Sequence, residues 1–275
     1  MIKKIIIITG TEARHDFLRL YISNDKRVEV LKSYCETSGD ALVKSIKEEN
    51  ITNDKRLNHL LIRENTEKDF FELYNQSIPN QSNEIYIPKG DINKEPHVNE
   101  IIKLNPDLII SYGCSIIKSR LLSIFQGRFI NIHLGLSPYY RGSGTNFWPI
   151  VNNELQFIGT TFMFIDSGID TGPIIHQIRG DIWNNDNIHQ IGNRLIRDSV
   201  KECLKLICYK ERFKISTIQN DNQHNIRRYY KKSDFNLESL DIANKNILNG
   251  CVSEYLNKKN QIDKKFPIIR LENLI

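Results

Sequence analysis

The sequence predicts an α/β fold built on a mostly parallel sheet with helices on both faces. Strand and helix patterns alternate through the first two thirds of the 275 residues. Leu108–Tyr112 is an uninterrupted apolar run, as a strand covered on both faces requires. Helical spacing follows it over 116–125 and a second strand over 128–133, which together make a βαβ unit.

Each element has its own reason. Lys3–Thr9 is a short β-branched run, and 12–22 places Phe17, Leu18, Leu20 and Tyr21 at helical spacing. Residues 28–31 form a second strand. The charge-dense stretch 55–74 repeats Leu57, Leu60, Leu61, Phe70, Phe71 and Leu73, which predicts one or two exposed amphipathic helices. Pro79 and the polar residues 80–83 mark a loop before a strand at 84–87, closed by Pro88 and Gly90. Glu95–Leu104 is helical and is stopped by Asn105-Pro106-Asp107. A glycine-rich, aromatic loop follows 128–133 and leads into a short helix at 146–151. Strands at 159–165 and 174–182 flank a turn at 168–173. The helix at 187–209 lines up Ile188, Ile191, Leu195, Ile196, Val200, Cys203, Leu204 and Ile207 on one face. We divide the chain into a catalytic domain, 1–210, and a small, mostly helical extension, 211–275. In the extension, 219–223 is loop-like, 227–232 is basic, and 237–248 and 252–256 are helical. At this length it cannot bury a large core alone.

Composition narrows the class. Apolar residues are 40% and charged residues 26%, the balance of a globular protein, and no run is long enough to span a membrane. The opening Met-Ile-Lys-Lys-Ile-Ile-Ile-Ile reads as a first strand, because Thr9-Gly10 ends its apolar run too soon for a signal peptide. Five cysteines (Cys35, Cys114, Cys203, Cys208, Cys251), an odd number without Cys-x-x-Cys spacing, argue against a disulfide framework or zinc ribbon and for a reducing cytoplasm. Cys203 and Cys208 read as two core cysteines. The formal charge of +5 is mild and suits anionic small molecules and nucleic acids equally.

Several motifs fail. Gly113 to Lys118 is one residue short of a P-loop and lacks its second glycine. Gly142-Ser-Gly144 lacks the third glycine of a dinucleotide fingerprint. One constellation survives. Period-2 alternation puts Asn131 and His133 on the same face at the C-terminal end of strand 128–133, where ligands of parallel sheets bind. Asp170 lies in the glycine-bounded turn Asp166-Ser-Gly168-Ile-Asp170-Thr-Gly-Pro173. An amide, an imidazole and a carboxylate can supply an oxyanion donor, an acid/base and a group that orients the base.

These two motifs, with Leu136-Ser-Pro138-Tyr-Tyr-Arg141-Gly142 between them as a third, resemble the formyltetrahydrofolate-dependent formyltransferases. That family includes methionyl-tRNA, glycinamide ribonucleotide and sugar N-formyltransferases. The likeness is dense over 84–182, and Asp170 falls 37 residues after His133. It implies a Rossmann-like formyltransferase fold and N10-formyltetrahydrofolate as cofactor, with no metal. By the same resemblance Asn131, His133 and Asp170 are catalytic. Cys114, Ser115, Ile116 and Ile117 border the pterin with Asp166 and Gly168, although Ile116 and Ile117 also suit a helix core. The loop from Arg141 to Trp148 looks closest to the sugar N-formyltransferases, with Tyr139, Tyr140, Phe147 and Trp148 as a stacking wall. Phe147 and Trp148 serve equally well as core. Tyr139, Arg141, Trp148 and Arg14 are therefore the candidate substrate contacts, and Arg14 with His15 at a helix start suits a phosphate or carboxylate as well as it suits an ordinary surface charge.

The expected acceptor is a small-molecule primary amine, foremost an amino sugar on a nucleotide carrier. Methionyl-tRNA and glycinamide ribonucleotide are alternatives, as is a formyltetrahydrofolate hydrolase or folate-binding protein. The tail is shorter than the C-terminal barrel of methionyl-tRNA formyltransferases, and its run Arg227-Arg228-Tyr229-Tyr230-Lys231-Lys232 reads as a solvated face or phosphate clamp before an RNA site. Such hydrolases carry an N-terminal regulatory domain for which 275 residues leave no room. A cytoplasmic enzyme is expected, with no membrane partner. Oligomeric state, with a dimer among the options, stays open at this point.

Overall fold

The computed structural model describes residues 2–37, 55–209 and 226–271. Strand β1 (Lys3–Thr9) sets the architecture. Alternate Cβ atoms leave opposite faces of a strand, so Ile5 and Ile7 enter one apolar cluster while Ile6 and Ile8 enter another. A strand buried on both faces needs helices above and below. Helices α1 (Ala13–Ser23), α2 (Lys55–Ser77) and α6 (Ile188–Cys208) cover the first face. Helices α3 (Glu95–Leu104) and α4 (Ser119–Ile124) cover the second.

Around β1, the strands β2 (Val28–Thr37), β3 (Glu84–Pro88), β4 (Leu108–Tyr112) and β5 (Phe129–His133) all continue in parallel. Two more strands complete the sheet: β7 (Gly159–Phe164) pairs antiparallel with β5, and β8 (Ile174–Arg179) pairs antiparallel with β7. The order β3-β2-β1-β4-β5-β7-β8 reverses direction of winding between β1 and β4. That switch point opens a crevice beyond the strand C-termini. The predicted fold class, a mostly parallel Rossmann-like sheet with a helical C-terminal segment, is the observed one.

Three local expectations change. Strand β2 runs to Thr37 rather than Leu31, because Tyr34 and Cys35 are fully buried and Cys35 pairs with Thr9. The stretch from 55 is one helix, as the expected one or two allow, but it is docked rather than merely exposed, with buried Phe71 stacked on Phe17 of α1 at 4.9 Å. The helix expected over 116–125 begins only at Ser119. Gly113 turns the chain through a left-handed φ of 65°, and Ser115 N then donates to Glu36 Oε2 at 2.5 Å. Asn93 next pairs with Ile116 O (3.0 Å) and Lys118 N (2.8 Å), which keeps the segment out of helical geometry. Ile116 is consequently not helix core but 73% exposed, whereas Ile117 is buried. Cys203 is buried as expected and Cys208 only partly so.

After β5, the short strand β6 (Tyr140–Gly142) precedes α5 (Trp148–Val151). Near the C-terminus, β9 (Arg228–Tyr230) pairs in parallel with β6, and α7 (Leu237–Leu248) and α8 (Cys251–Lys265) follow. Ala243, Cys251, Val252 and Tyr255 from these helices share one apolar cluster with Ile150, Leu155, Ile182 and Leu195. The loop expected at 219–223 lies outside the described residues.

Candidate active site

Residues 131 and 133 emerge at the C-terminal end of β5, and both line a cleft of about 700 Å³. Ser111 pairs in register with Asn131 across β4 and β5, and its hydroxyl lies 3.0 Å from Asn131 Oδ1. With the amide oxygen engaged, the amide nitrogen is the group left for the cleft.

His133 is buried between two acceptors. Its Nε2 lies 3.1 Å from the Tyr140 carbonyl and its Nδ1 3.2 Å from Asp170 Oδ1. A carbonyl only accepts, so Nε2 carries a hydrogen. Asp170 thus faces the second ring nitrogen and fixes the orientation of the imidazole from that side. Asp170 sits in the left-handed region at φ 53°, which a short polar side chain tolerates, and its Oδ2 accepts from Gly142 N at 2.8 Å.

Two loops form the lips of the cleft. Cys114, Ser115, Ile116 and Ile117 line one, and Asp166, Gly168 and Ile169 the other. Asp166 Oδ1 accepts from Gly168 N (2.9 Å) and Thr171 Oγ1 (2.8 Å), which closes its turn. Burial and nearby Glu36 push the Cys114 thiol up to about 12, so it is a neutral wall rather than a nucleophile. Each lip also presents an exposed isoleucine, Ile116 at 73% and Ile169 at 43%. Apolar side chains left in water on both lips suit the faces of a flat aromatic ring.

The C-terminal segment braces the strand that holds the dyad. Tyr230 stacks on Trp148 with centroids 4.1 Å apart and planes 6° from parallel. Ser143 N donates to Tyr230 O at 2.8 Å, and Arg228 grips Glu154 through Nε (3.0 Å) and Nη2 (2.7 Å). Gly142, at φ 93°, runs so close that any Cβ would fall on the Tyr230 carbonyl. The basic run 227–232 therefore contains an inward-facing strut, not only a solvated face.

Arg14 is on the cleft wall, but its charge is already engaged. Nη1 lies 2.6 Å from Glu67 Oε2, the backbone N donates to Glu67 Oε1 at 3.0 Å, and Nη2 lies 3.3 Å from Glu12. Trp148 also lines the cleft while being buried, so the functional and core readings both describe it. Tyr139 and Arg141 do not line it, contrary to expectation. Tyr139 is buried against Phe157 and Phe266, and Arg141 lies in β6 opposite Tyr229. The Tyr140 ring is buried too, with its hydroxyl on Glu154; only its carbonyl meets His133.

Sequence reasoning missed Tyr112, Glu67, Arg63, His59, His189 and Phe235, which line the same cleft. Five of them come from helix 55–77 and the C-terminal half, where a charged or lone aromatic residue reads as surface. His59 and His189 stand with ring centroids 4.7 Å apart, and burial first, with Arg63 nearby, pushes both down to about 4. Among the described residues no cluster of three or more His, Cys, Asp or Glu could hold a metal ion, and no helix is long and apolar enough to cross a membrane.

Fold and site together define a Rossmann-like α/β protein with an amide–imidazole–carboxylate centre at the sheet's C-terminal edge. Residues 26–206 match the family model described as formyl transferase, and the chain belongs to that family. The family transfers a formyl group and uses N10-formyltetrahydrofolate. The chain is 32% identical over 155 residues to the methionyl-tRNA formyltransferase of Clostridium tetani, covering 54% of this chain and 49% of that protein. It thus spans about half the length of that curated relative. A sugar N-formyltransferase from a Shewanella species is similar in structure, with a TM-score of 0.55 at 17% identity over 90% of this chain and 89% of that one. A glycinamide ribonucleotide transformylase from Symbiobacterium toebii gives 0.54 at 14%, over 78% and 91%. At these identities the two structures establish the shared fold.

Proposed function

We propose that this chain is an N10-formyltetrahydrofolate-dependent N-formyltransferase that formylates a primary amine, foremost an amino sugar on a nucleotide carrier. The observation that carries it is His133 held between the Tyr140 carbonyl and Asp170, next to Asn131, opening into a cleft with two chemically different ends. The isoleucine-bearing lips would hold the folate, which supplies the formyl group when bound. Asn131 offers its amide hydrogens where the formyl oxygen gains charge. His133, fixed through Nε2 on Tyr140 O, holds a proton and releases it toward the leaving nitrogen. Asp170 keeps the imidazole oriented and takes up the proton lost by the amine. A positioned acid/base contributes about 10²–10⁴-fold in rate.

The other end of the cleft favours a small acceptor. Trp148, Phe147, Phe235 and His59 make an aromatic wall suited to stacking on a sugar or base. Identity to a methionyl-tRNA formyltransferase favours tRNA as a second reading. Against it, Arg228 and Tyr230 of the basic run are spent on Glu154 and Trp148.

The test is tetrahydrofolate release with product mass, run on dTDP- and UDP-linked amino sugars, methionyl-tRNA and glycinamide ribonucleotide. Formylation of a sugar is expected. Product from methionyl-tRNA alone, or tetrahydrofolate release without any acceptor, replaces this reading with the tRNA or hydrolase one.

A further inference from the structure

At the switch point between β1 and β4, the cleft wall holds two polar atoms that formyl transfer leaves unused. His15 Nε2 and Tyr112 Oη have no hydrogen-bond partner among the described residues. His15 is 1% and Tyr112 4% exposed, yet both side chains line the cleft. Buried polar groups left unpaired are rare, and two together where ligands bind point to a ligand group that completes them. The rings meet edge to face with centroids 4.8 Å apart, which puts both side chains on one stretch of the cleft wall. A side chain at Gly113 would place its Cβ 2.6 Å from Nε2; glycine keeps that nitrogen open.

The surroundings of His15 select the ligand chemistry. Its Nδ1 accepts from Glu12 N at 3.2 Å and lies 2.6 Å from Glu12 Oε2. Burial and then Arg14 push His15 down to about 4, so the imidazole is neutral. A phosphate would therefore find no free positive charge here, because Arg14 is occupied by Glu12 and Glu67. An ammonium would meet the Arg14 charge. A hydroxyl both donates and accepts, so it can pair with Nε2 of a neutral imidazole and with Tyr112 Oη.

We propose that His15 Nε2 and Tyr112 Oη form a specificity niche that reads a ring hydroxyl of the acceptor sugar. The proposal rests on the amino-sugar reading above. Its test is a cycle between protein and substrate. Parent and Tyr112→Phe are assayed on dTDP- and UDP-linked sugars bearing the amine at C3 or C4, each beside analogues lacking one ring hydroxyl. Removing the hydroxyl that the niche reads should cost the parent about 10- to 100-fold in kcat/KM, the range for leaving one buried partner unpaired. Tyr112→Phe should lose as much on the intact sugar, fall by under about threefold more on that analogue, and bind tetrahydrofolate as the parent does. If the parent formylates a sugar and the two losses simply multiply for every hydroxyl, the niche is overturned and the amino-sugar reading stands. If the parent formylates no sugar, that reading fails and the niche's ligand fails with it. Tyr112→Phe removes one oxygen, and the analogue series on the parent needs no variant at all.

Discussion

Asp170→Asn isolates the charge of Asp170 from the geometry that holds His133. Asparagine tolerates the left-handed φ of 53° at this position. Its amide oxygen can accept from Gly142 N, now 2.8 Å from Oδ2, while its NH₂ donates to His133 Nδ1 across the present 3.2 Å contact. Nε2–H still faces the Tyr140 carbonyl, so every hydrogen bond survives with a neutral imidazole. What disappears is one negative charge. Stability should change by less than about 0.5 kcal/mol, or about 2 °C in Tm for a protein of this size. Formyl transfer should fall about 10²–10⁴-fold, equivalent to roughly 3–5 kcal/mol in the barrier. Initial rates of tetrahydrofolate release, tetrahydrofolate affinity and a melting curve separate these quantities. A variant that melts normally and keeps more than a tenth of the parental kcat refutes the role given to the Asp170 charge. A large drop in Tm makes Asp170 a scaffold residue instead.

Other perturbations follow from the same geometry. Asn131→Ala should cost about 10²–10³ in kcat, as loss of an oxyanion donor does, with tetrahydrofolate affinity unchanged in a binding titration. Gly142→Ala places a methyl group on the Tyr230 carbonyl at φ 93° and should destabilise by roughly 3 kcal/mol, read from urea unfolding, with loss of kcat. Tyr230→Leu removes the Trp148 stack and the Asn152–Tyr230 hydroxyl bond (2.9 Å); it should lower kcat more than it weakens tetrahydrofolate binding. His59 and His189 ionise near pH 4 when folded and near 6.5 when unfolded, so the unfolded state binds more protons between those values. Stability should therefore be lost as pH falls from about 6.5 to 4, by up to about 1.4 kcal/mol per pH unit for each histidine, and His189→Asn should flatten that slope in pH-dependent urea unfolding.

What could be read in the sequence depended on how local its cause was. Strand β4 and helix α3 were legible because their burial on two faces and one face is written in successive residues. Asn131 and His133 stood out because polar side chains at the end of an apolar strand need a reason. The delayed start of α4 had no local signal: Glu36 and Asn93, 79 and 25 residues from the atoms they hold, impose it. Strand β9 was hidden likewise, since Arg-Tyr-Tyr reads as a charged surface until Glu154 and Trp148 are brought beside it. Tyr139 and Tyr140 show the limit of a motif, which names a segment without saying which atoms turn toward the site. Glu67 was masked by the charge density of helix 55–77, where the one carboxylate turned inward looks like its neighbours.

The pairing of β6 with β9 also gives the protein a schedule. The parallel strands from β1 to β5, and the hairpin beside them, are complete once the first two thirds of the chain have been made. The strand that carries Gly142, and so one oxygen of Asp170, must wait for Tyr230 before it gains its partner. Roughly 90 residues separate the two strands, about 5–18 s of synthesis at ordinary rates. A nascent chain can thus own its sheet and its histidine well before the carboxylate is locked opposite it. Under the proposed mechanism the setting of Asp170 is completed late, when β9, the last strand among the described residues, pairs with β6.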